Sequence, residues 1–286
     1  MIIDAHTHRY TDEVIADPIT FANRMGEQKW LNMVMPQGRP SLQGWSDRNT
    51  MLNDMDAAGI DRSIILGWYW EHSSTCIEAN QWCRQWIRQD PERLIGFLSL
   101  KPGIPRLIDY LEQAREDGFQ GIGESHPRAQ GFRMQDKEWM QAMQFASDVG
   151  WPVNFHVTDS GGKDYPGKTV TPMEDFLWLA DQLPDLKIIL AHAGALYPIE
   201  HSVPENFYFD LAACPLLYPA QIYQELIRHT GAEKILWGTD YPLRIYPASA
   251  SSPDFLSFLE EFTQSVQLEE EEMQAVLGEN IIRLLA

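Results

Sequence analysis

His6 and His8 stand two apart in Ile3-Asp4-Ala5-His6-Thr7-His8. In an extended chain, residues at i and i+2 share a face, so both imidazoles point the same way. Further titratable residues follow in short motifs. Glu124 and His126 lie in Gly-Ile-Gly-Glu-Ser-His-Pro, His156 in Phe-His, His192 in Ala-His-Ala-Gly and Asp240 in Gly-Thr-Asp-Tyr-Pro. Five of the eight histidines belong to this set. Each motif closes an apolar run, where an unpaired imidazole or carboxylate costs several kcal/mol. A shared divalent ion satisfies them together. The candidate ligands are drawn from His6, His8, Glu124, His126, His156, His192 and Asp240, the imidazole and carboxylate types of a catalytic site with an open position for water. Such an ion lowers the pKa of bound water toward about 7 and polarises a carbonyl or ester. Zinc is the expected ion, in one or two copies, with manganese and iron suited to the same ligands.

The elements that position these residues are read from periodicity. Eight apolar runs read as buried strands: Met1–His6, Ser63–Trp68, Leu94–Leu100, Phe119–Ser125, Trp151–Val157, Lys187–His192, Phe207–Ala212 and Ile235–Asp240. Near-continuous apolar strands are those of a parallel sheet covered on both faces. Amphipathic stretches lie between most of them. One begins at Ser46 as N-cap and stops at Gly59; others run from Pro105 to Asp117, Lys137 to Val149, Glu174 to Leu183 and Ala220 to Thr230. The alternation predicts an α/β fold, a single (β/α)8 TIM barrel over 1–286, whose active face is the C-terminal end of the strands. An open doubly wound sheet would prefer a Gly-rich loop after the first strand, where this chain has His-Thr-His-Arg. The stretch Thr11 to Arg48 is long for one connection and reads as an insertion over the barrel mouth. Closing helices are expected from Ser252 onward, one of them opened by the acidic run Glu269 to Glu272.

Composition narrows the function. The 286 residues carry 22 Lys+Arg against 41 Asp+Glu, a net charge of −19. That field repels nucleic-acid backbones and anionic lipid, so neither is an expected partner. No apolar stretch reaches the roughly 18 residues of a membrane span. Cys76, Cys83 and Cys214 are odd in number and lack CxxC spacing, which fits a reducing compartment rather than a disulfide framework. A cytoplasmic enzyme acting on a small molecule is the expectation. Neither a Gly-x-Ser-x-Gly elbow nor a P-loop is present.

From Ile3-Asp4-Ala5-His6-Thr7-His8 to Gly238-Thr239-Asp240-Tyr241-Pro242, by way of Gly231-Ala232-Glu233-Lys234-Ile235-Leu236, the chain resembles the amidohydrolase superfamily. It is most similar to its amidohydrolase-2 branch of hydrolases and non-oxidative decarboxylases. The resemblance implies a metal-dependent barrel in which His6, His8, His156 and Asp240 hold metal. Asp240 would also take the proton from the attacking water. His192 would bind a second metal or polarise the substrate. On the fourth strand, many members of the branch read Gly-Ile-Lys-Leu-His-Pro, whereas this chain reads Gly121-Ile122-Gly123-Glu124-Ser125-His126-Pro127. The Gly-Glu element resembles that of TatD-type hydrolases, where a glutamate bridges or binds metal.

Other residues could shape a substrate site. Trp68, Tyr69 and Trp70 follow the second strand and would wall it. Arg9, Arg128 and Arg244 follow strands and could grip a carboxylate bidentately. His126 could be a metal ligand, contact substrate, or serve as a loop or capping residue; Asp210 reads as structural. The expected activity is metal-dependent hydrolysis of an amide, ester or lactone, by an enzyme that family habit makes a homodimer. Three rivals stand beside it: a decarboxylase of a small carboxylic acid, a TatD-like phosphoesterase or nuclease, and a non-catalytic metal-binding barrel.

Overall fold

Eight parallel strands appear at the expected places in a computed structural model that describes residues 1–162, 168–244 and 252–286. They are β1 (Ile3–Thr7), β2 (Arg62–Ile65), β3 (Leu94–Gly96), β4 (Ile122–Ser125), β5 (Val153–Phe155), β6 (Ile188–Leu190), β7 (Phe207–Asp210) and β8 (Ile235–Leu236). Ladders join β1-β2-β3 and β4 through β8 in sequence order. Two seams close them into a ring. Thr7 bridges to Tyr241, and Ala5 N–H donates to Trp237 O at 2.9 Å while Asp240 N–H donates to His6 O at 2.9 Å. On the other side Leu98 bridges to Ile122, and Gly123 N–H donates to Leu98 O at 2.9 Å. This is the (β/α)8 barrel. The regular strands are shorter than the apolar runs, because each run continues past its ladder into the loops that carry the site.

The connecting helices bury one stripe against the strands. Arg48–Ala58 is capped not by Ser46 but by Asp47, whose carboxylate accepts from Thr50 N–H at 2.8 Å. Ser46 is drawn off by Tyr241, whose hydroxyl donates to its Oγ at 2.7 Å. Gly59 ends that helix in the left-handed region (φ +71°), where a side chain is disfavoured. A smaller apolar cluster joins Ile3, Ala5, Ile64 and Phe97 to Ile281 and Leu284 of the last helix, Asn280–Leu285. The acidic run does open a helix, Glu270–Gln274, with a capping box between Glu269 and Glu272.

The insertion after β1 folds into three short helices, Asp12–Ala16, Pro18–Met25 and Gln28–Val34. Its fully buried Glu27 accepts from the backbone N–H groups of Glu71 (2.7 Å) and His72 (3.0 Å), beyond the end of β2. Gln43 bridges to Leu243, and Arg244 N–H donates to Leu42 O, beyond the end of β8. The insertion therefore spans the C-terminal ends of the barrel, as expected. Among the described residues, no helix is long and apolar enough to cross a membrane.

Candidate metal centre

Six of the candidate ligands converge at the C-terminal end of the barrel. His6 Nε2 and His8 Nε2 lie 3.3 Å apart. Glu124 Oε2 is 3.7 Å from His8 Nε2, and Glu124 Oε1 is 3.9 Å from His6 Nε2. Asp240 Oδ1 faces the same pair at 3.5 Å (His8) and 3.8 Å (His6). On the other side of Glu124, Oε1 is 2.9 Å from His156 Nδ1 and 3.4 Å from His192 Nε2. Those two nitrogens are 3.0 Å apart. Two donor groups result, His6–His8–Glu124 and Glu124–His156–His192, each with its ligand atoms within 4.8 Å of one another. Glu124 belongs to both. Gly123 makes its position possible: at φ +139° it lies so close to β5 that a Cβ there would meet Asn154 O at 2.7 Å.

Outer hydrogen bonds aim the ring nitrogens. Leu66 O lies 3.3 Å from His8 Nδ1 and Ala212 O lies 2.8 Å from His192 Nδ1. A carbonyl only accepts, so in both rings Nδ1 carries the proton and Nε2 presents its lone pair to the centre. Asp210 does the same for His6, with Oδ2 at 2.9 Å from Nδ1. The same oxygen accepts from Asn154 Nδ2 at 2.8 Å, while Oδ1 accepts from the N–H groups of His192 and Ala212, each at 3.1 Å. Carboxylate and carbonyl partners of this kind are how proteins fix the tautomer of metal-binding histidines. The donor set and its support fit a divalent ion at either group.

The charges point the same way. Burial works to raise the Glu124 pKa, but His156, His192 and His6 together hold it well below the usual carboxylate range. Burial works to lower that of His6, but Asp210, then Glu124 and Asp240, push it up to about 10. Glu124, Asp210 and Asp240 thus favour positive charge at the centre, the charge a divalent ion would bring. Behind the centre, burial lifts Asp4 to about 7; its carboxylate accepts from Thr239 Oγ1 (2.6 Å) and His6 N–H (2.9 Å) and so ties β1 to β8. Asp240 itself sits at φ +69°, and His192 through Leu196 form a run of left-handed residues. Such backbone costs of order 1–3 kcal/mol per non-glycine residue and is held where the surroundings over-determine it.

The other candidates divide. Trp68 is partly exposed, packs edge-on to His8 (5.4 Å between centroids) and stacks on Tyr69 (4.4 Å). Tyr69 in turn meets the rings of His156 and His126 at 5.2 and 5.4 Å. These two form a wall. Trp70 does not join it: it is buried against Phe21 and Trp30, in the core. His126 is buried beside the centre, its ring stacked on His156 at 5.0 Å and its nitrogens engaged by Thr169 O (3.0 Å) and Thr171 Oγ1 (3.1 Å). Arg9 stacks on Trp86 at 4.5 Å, in the layer under the helix Ser73–Gln89. Arg128 is paired with Asp175 (2.7 Å), and Arg244 donates from Nη2 to Ser41 O (2.7 Å). The residue that spacing did not reveal is Asp210, read as structural but placed directly beneath two of the candidate ligands.

Comparison with known proteins gives the same frame. A 5-carboxyvanillate decarboxylase from Sphingomonas paucimobilis superposes with a TM-score of 0.75 at 16% identity, covering 99% of this chain and 98% of the other. A probable 2-pyrone-4,6-dicarboxylic acid hydrolase from Acinetobacter baumannii gives 0.65 at 14% identity, covering 99% and 98%. A dihydroxybenzoic acid decarboxylase from Polaromonas, solved with bound manganese, gives 0.65 at 16% identity, covering 99% and 96%. At these identities the likeness shows a shared fold. No curated protein matches the chain. The amidohydrolase family model, however, matches residues 3–286. With that match spanning nearly the whole sequence, the chain belongs to the amidohydrolase family.

Proposed function

We propose that the chain is a metal-dependent hydrolase of a neutral small molecule bearing an ester, lactone or amide, with His6, His8, Glu124, His156, His192 and Asp240 holding two divalent ions. The observation that carries this reading is Glu124, one carboxylate facing both donor groups. Zinc or manganese suits such ligands. When bound, the ions supply Lewis acidity toward a carbonyl and a water of lowered pKa. The protein's part is placement and proton transfer. Asp240 takes the proton of the attacking water and returns it to the leaving group. Its side chain is about one-tenth exposed, so it reaches both the centre and the mouth. Trp68 and Tyr69 offer the substrate an apolar, planar wall.

Hydrolysis is favoured over decarboxylation by the placement of the cations. A carboxylated substrate needs a partner such as Arg9 or Arg244. Among the described residues, Arg128 holds Asp175, Lys101 donates to Gln130 O, Arg244 gives Nη2 to Ser41 O, and Arg9 stacks on Trp86 in the helix layer rather than among the donors of the centre. The net charge of −19 speaks against a phosphate-tracking nuclease. The test is turnover in ¹⁸O-water by protein reconstituted with zinc or manganese, on a panel of neutral esters, lactones and amides beside matched aromatic acids. Label is expected in the product carboxylate. Carbon dioxide released from an acid, with no label incorporated, would replace hydrolysis by decarboxylation.

A further inference from the structure

Arg9 follows His6 and His8 at the end of β1. Its Nε and Nη1 are buried with no hydrogen-bond acceptor. Asp90, the acid that acts most on Arg9, accepts from Arg48 Nε at 2.7 Å on one oxygen and from Arg48 Nη2 on the other. Beside Arg9 is a small, partly open cavity of about 20 Å³, lined among others by His8, Tyr10, Trp68, Trp70 and Trp86. Trp70 adds a second orphan donor, a buried Nε1–H without an acceptor. Two polar groups of the lining are engaged elsewhere. Asn80 donates to Ser99 O and Tyr110 and accepts from Ser99 N–H, and His8 Nδ1 is matched by Leu66 O.

The cavity is therefore lined by Arg9 and Trp70, each of which has a buried donor short of an acceptor. A cavity needs about 10–15 Å³ on this measure to hold one water, so the space takes a single small species and no substrate. Water would accept from the orphan donors, but it brings two donors of its own and leaves the guanidinium charge uncompensated. A monovalent anion carries acceptor capacity alone and the missing charge.

We propose that this cavity, between β1, β2 and the helix Ser73–Gln89, is a binding site for a monovalent anion of halide size, held by Arg9. The proposal is independent of the metal reading, since it uses none of the metal donors to bind the anion.

Thermal unfolding of the full chain would be followed in sodium chloride, bromide and gluconate at equal ionic strength. Chloride and bromide are expected to raise Tm saturably, on the order of 1–3 °C above gluconate, as a ligand of the native state does. Arg9→Gln is expected to erase the difference between the salts. Because that variant could also fold poorly, crystals of the unaltered protein grown in bromide supply a second measurement. An anomalous bromide peak beside the Arg9 guanidinium is expected. Equal Tm values in all the salts, or a water with no anomalous signal in the cavity, would overturn the proposal.

Discussion

Replacing Asp210 by Asn removes a charge and one acceptor while keeping size and shape. In the native protein Oδ1 accepts from two backbone N–H groups, His192 and Ala212, and Oδ2 accepts from His6 Nδ1 and Asn154 Nδ2. The new Oδ1 can keep the two backbone donors. The new NH₂ then faces two donors in place of the old Oδ2. Asn154 can adapt by flipping its amide, since its own Oδ1 is buried without a partner. His6 cannot adapt without cost. To accept from the new amide, its Nδ1 must lose its proton, and the proton moves to Nε2, the nitrogen that faces Glu124 and Asp240. The ligand lone pair is then lost. Loss of such an outer partner typically costs 10–100-fold in metal affinity, or about 1.4–2.7 kcal/mol. The ion-free protein should lose only about 1–2 kcal/mol of stability, because most of the hydrogen bonds are remade. The assay is competition with a chromophoric chelator for zinc, beside ¹⁵N spectra that report which nitrogen of His6 is protonated. Unchanged zinc affinity with the His6 tautomer unmoved would refute the reasoning.

Other expectations follow from burial and backbone. Trp70→Ala should cost about 3–5 kcal/mol of stability, since its ring is fully buried against Phe21 and Trp30, whereas Trp68→Ala should spare Tm and raise KM. Equal effects in denaturant melts and kinetics would contradict that division. Burial pushes the thiols of Cys76 and Cys83 up to about 12 and that of Cys214 well above its usual value, so none should react with Ellman's reagent in the native protein at mildly alkaline pH. Denaturant should release all three, and a native thiol that titrates would contradict the assignment. Ala195 lies at φ +52°, so Ala195→Gly should hold or raise Tm, where Ala142→Gly in the right-handed helix Lys137–Asp148 should lower it by the equivalent of about 1 kcal/mol. Calorimetry of the two variants decides it by sign.

The convergence of the six candidate ligands was legible because each member sits in a short motif closing an apolar run, and because His6 and His8 alternate on one face. The same alternation held information about Arg9. If His8 faces the centre, its neighbour faces the helix layer, which is where Arg9 meets Trp86. Alternation failed at two places where the strand ends. His126, two residues beyond Glu124, opens the turn Pro127–Gln130, and its ring lies against His156 rather than among the donors. Trp68 and Trp70 are likewise two apart, but the chain between them is no longer a strand, and they part to wall and core. Asp210 gave no signal at all. Its partners Asn154 and His6 are 56 and 204 residues away, and only the closed ring of strands brings them together.

The most direct measurement is the metal content of the purified protein after reconstitution with zinc or manganese, with Glu124→Gln and a His6→Ala/His8→Ala variant alongside. About two equivalents per chain are expected for the native protein, one for each donor group that shares Glu124, and both variants should hold less. No bound divalent ion in the native protein, or a Glu124→Gln variant that keeps both equivalents, would contradict the shared-carboxylate centre.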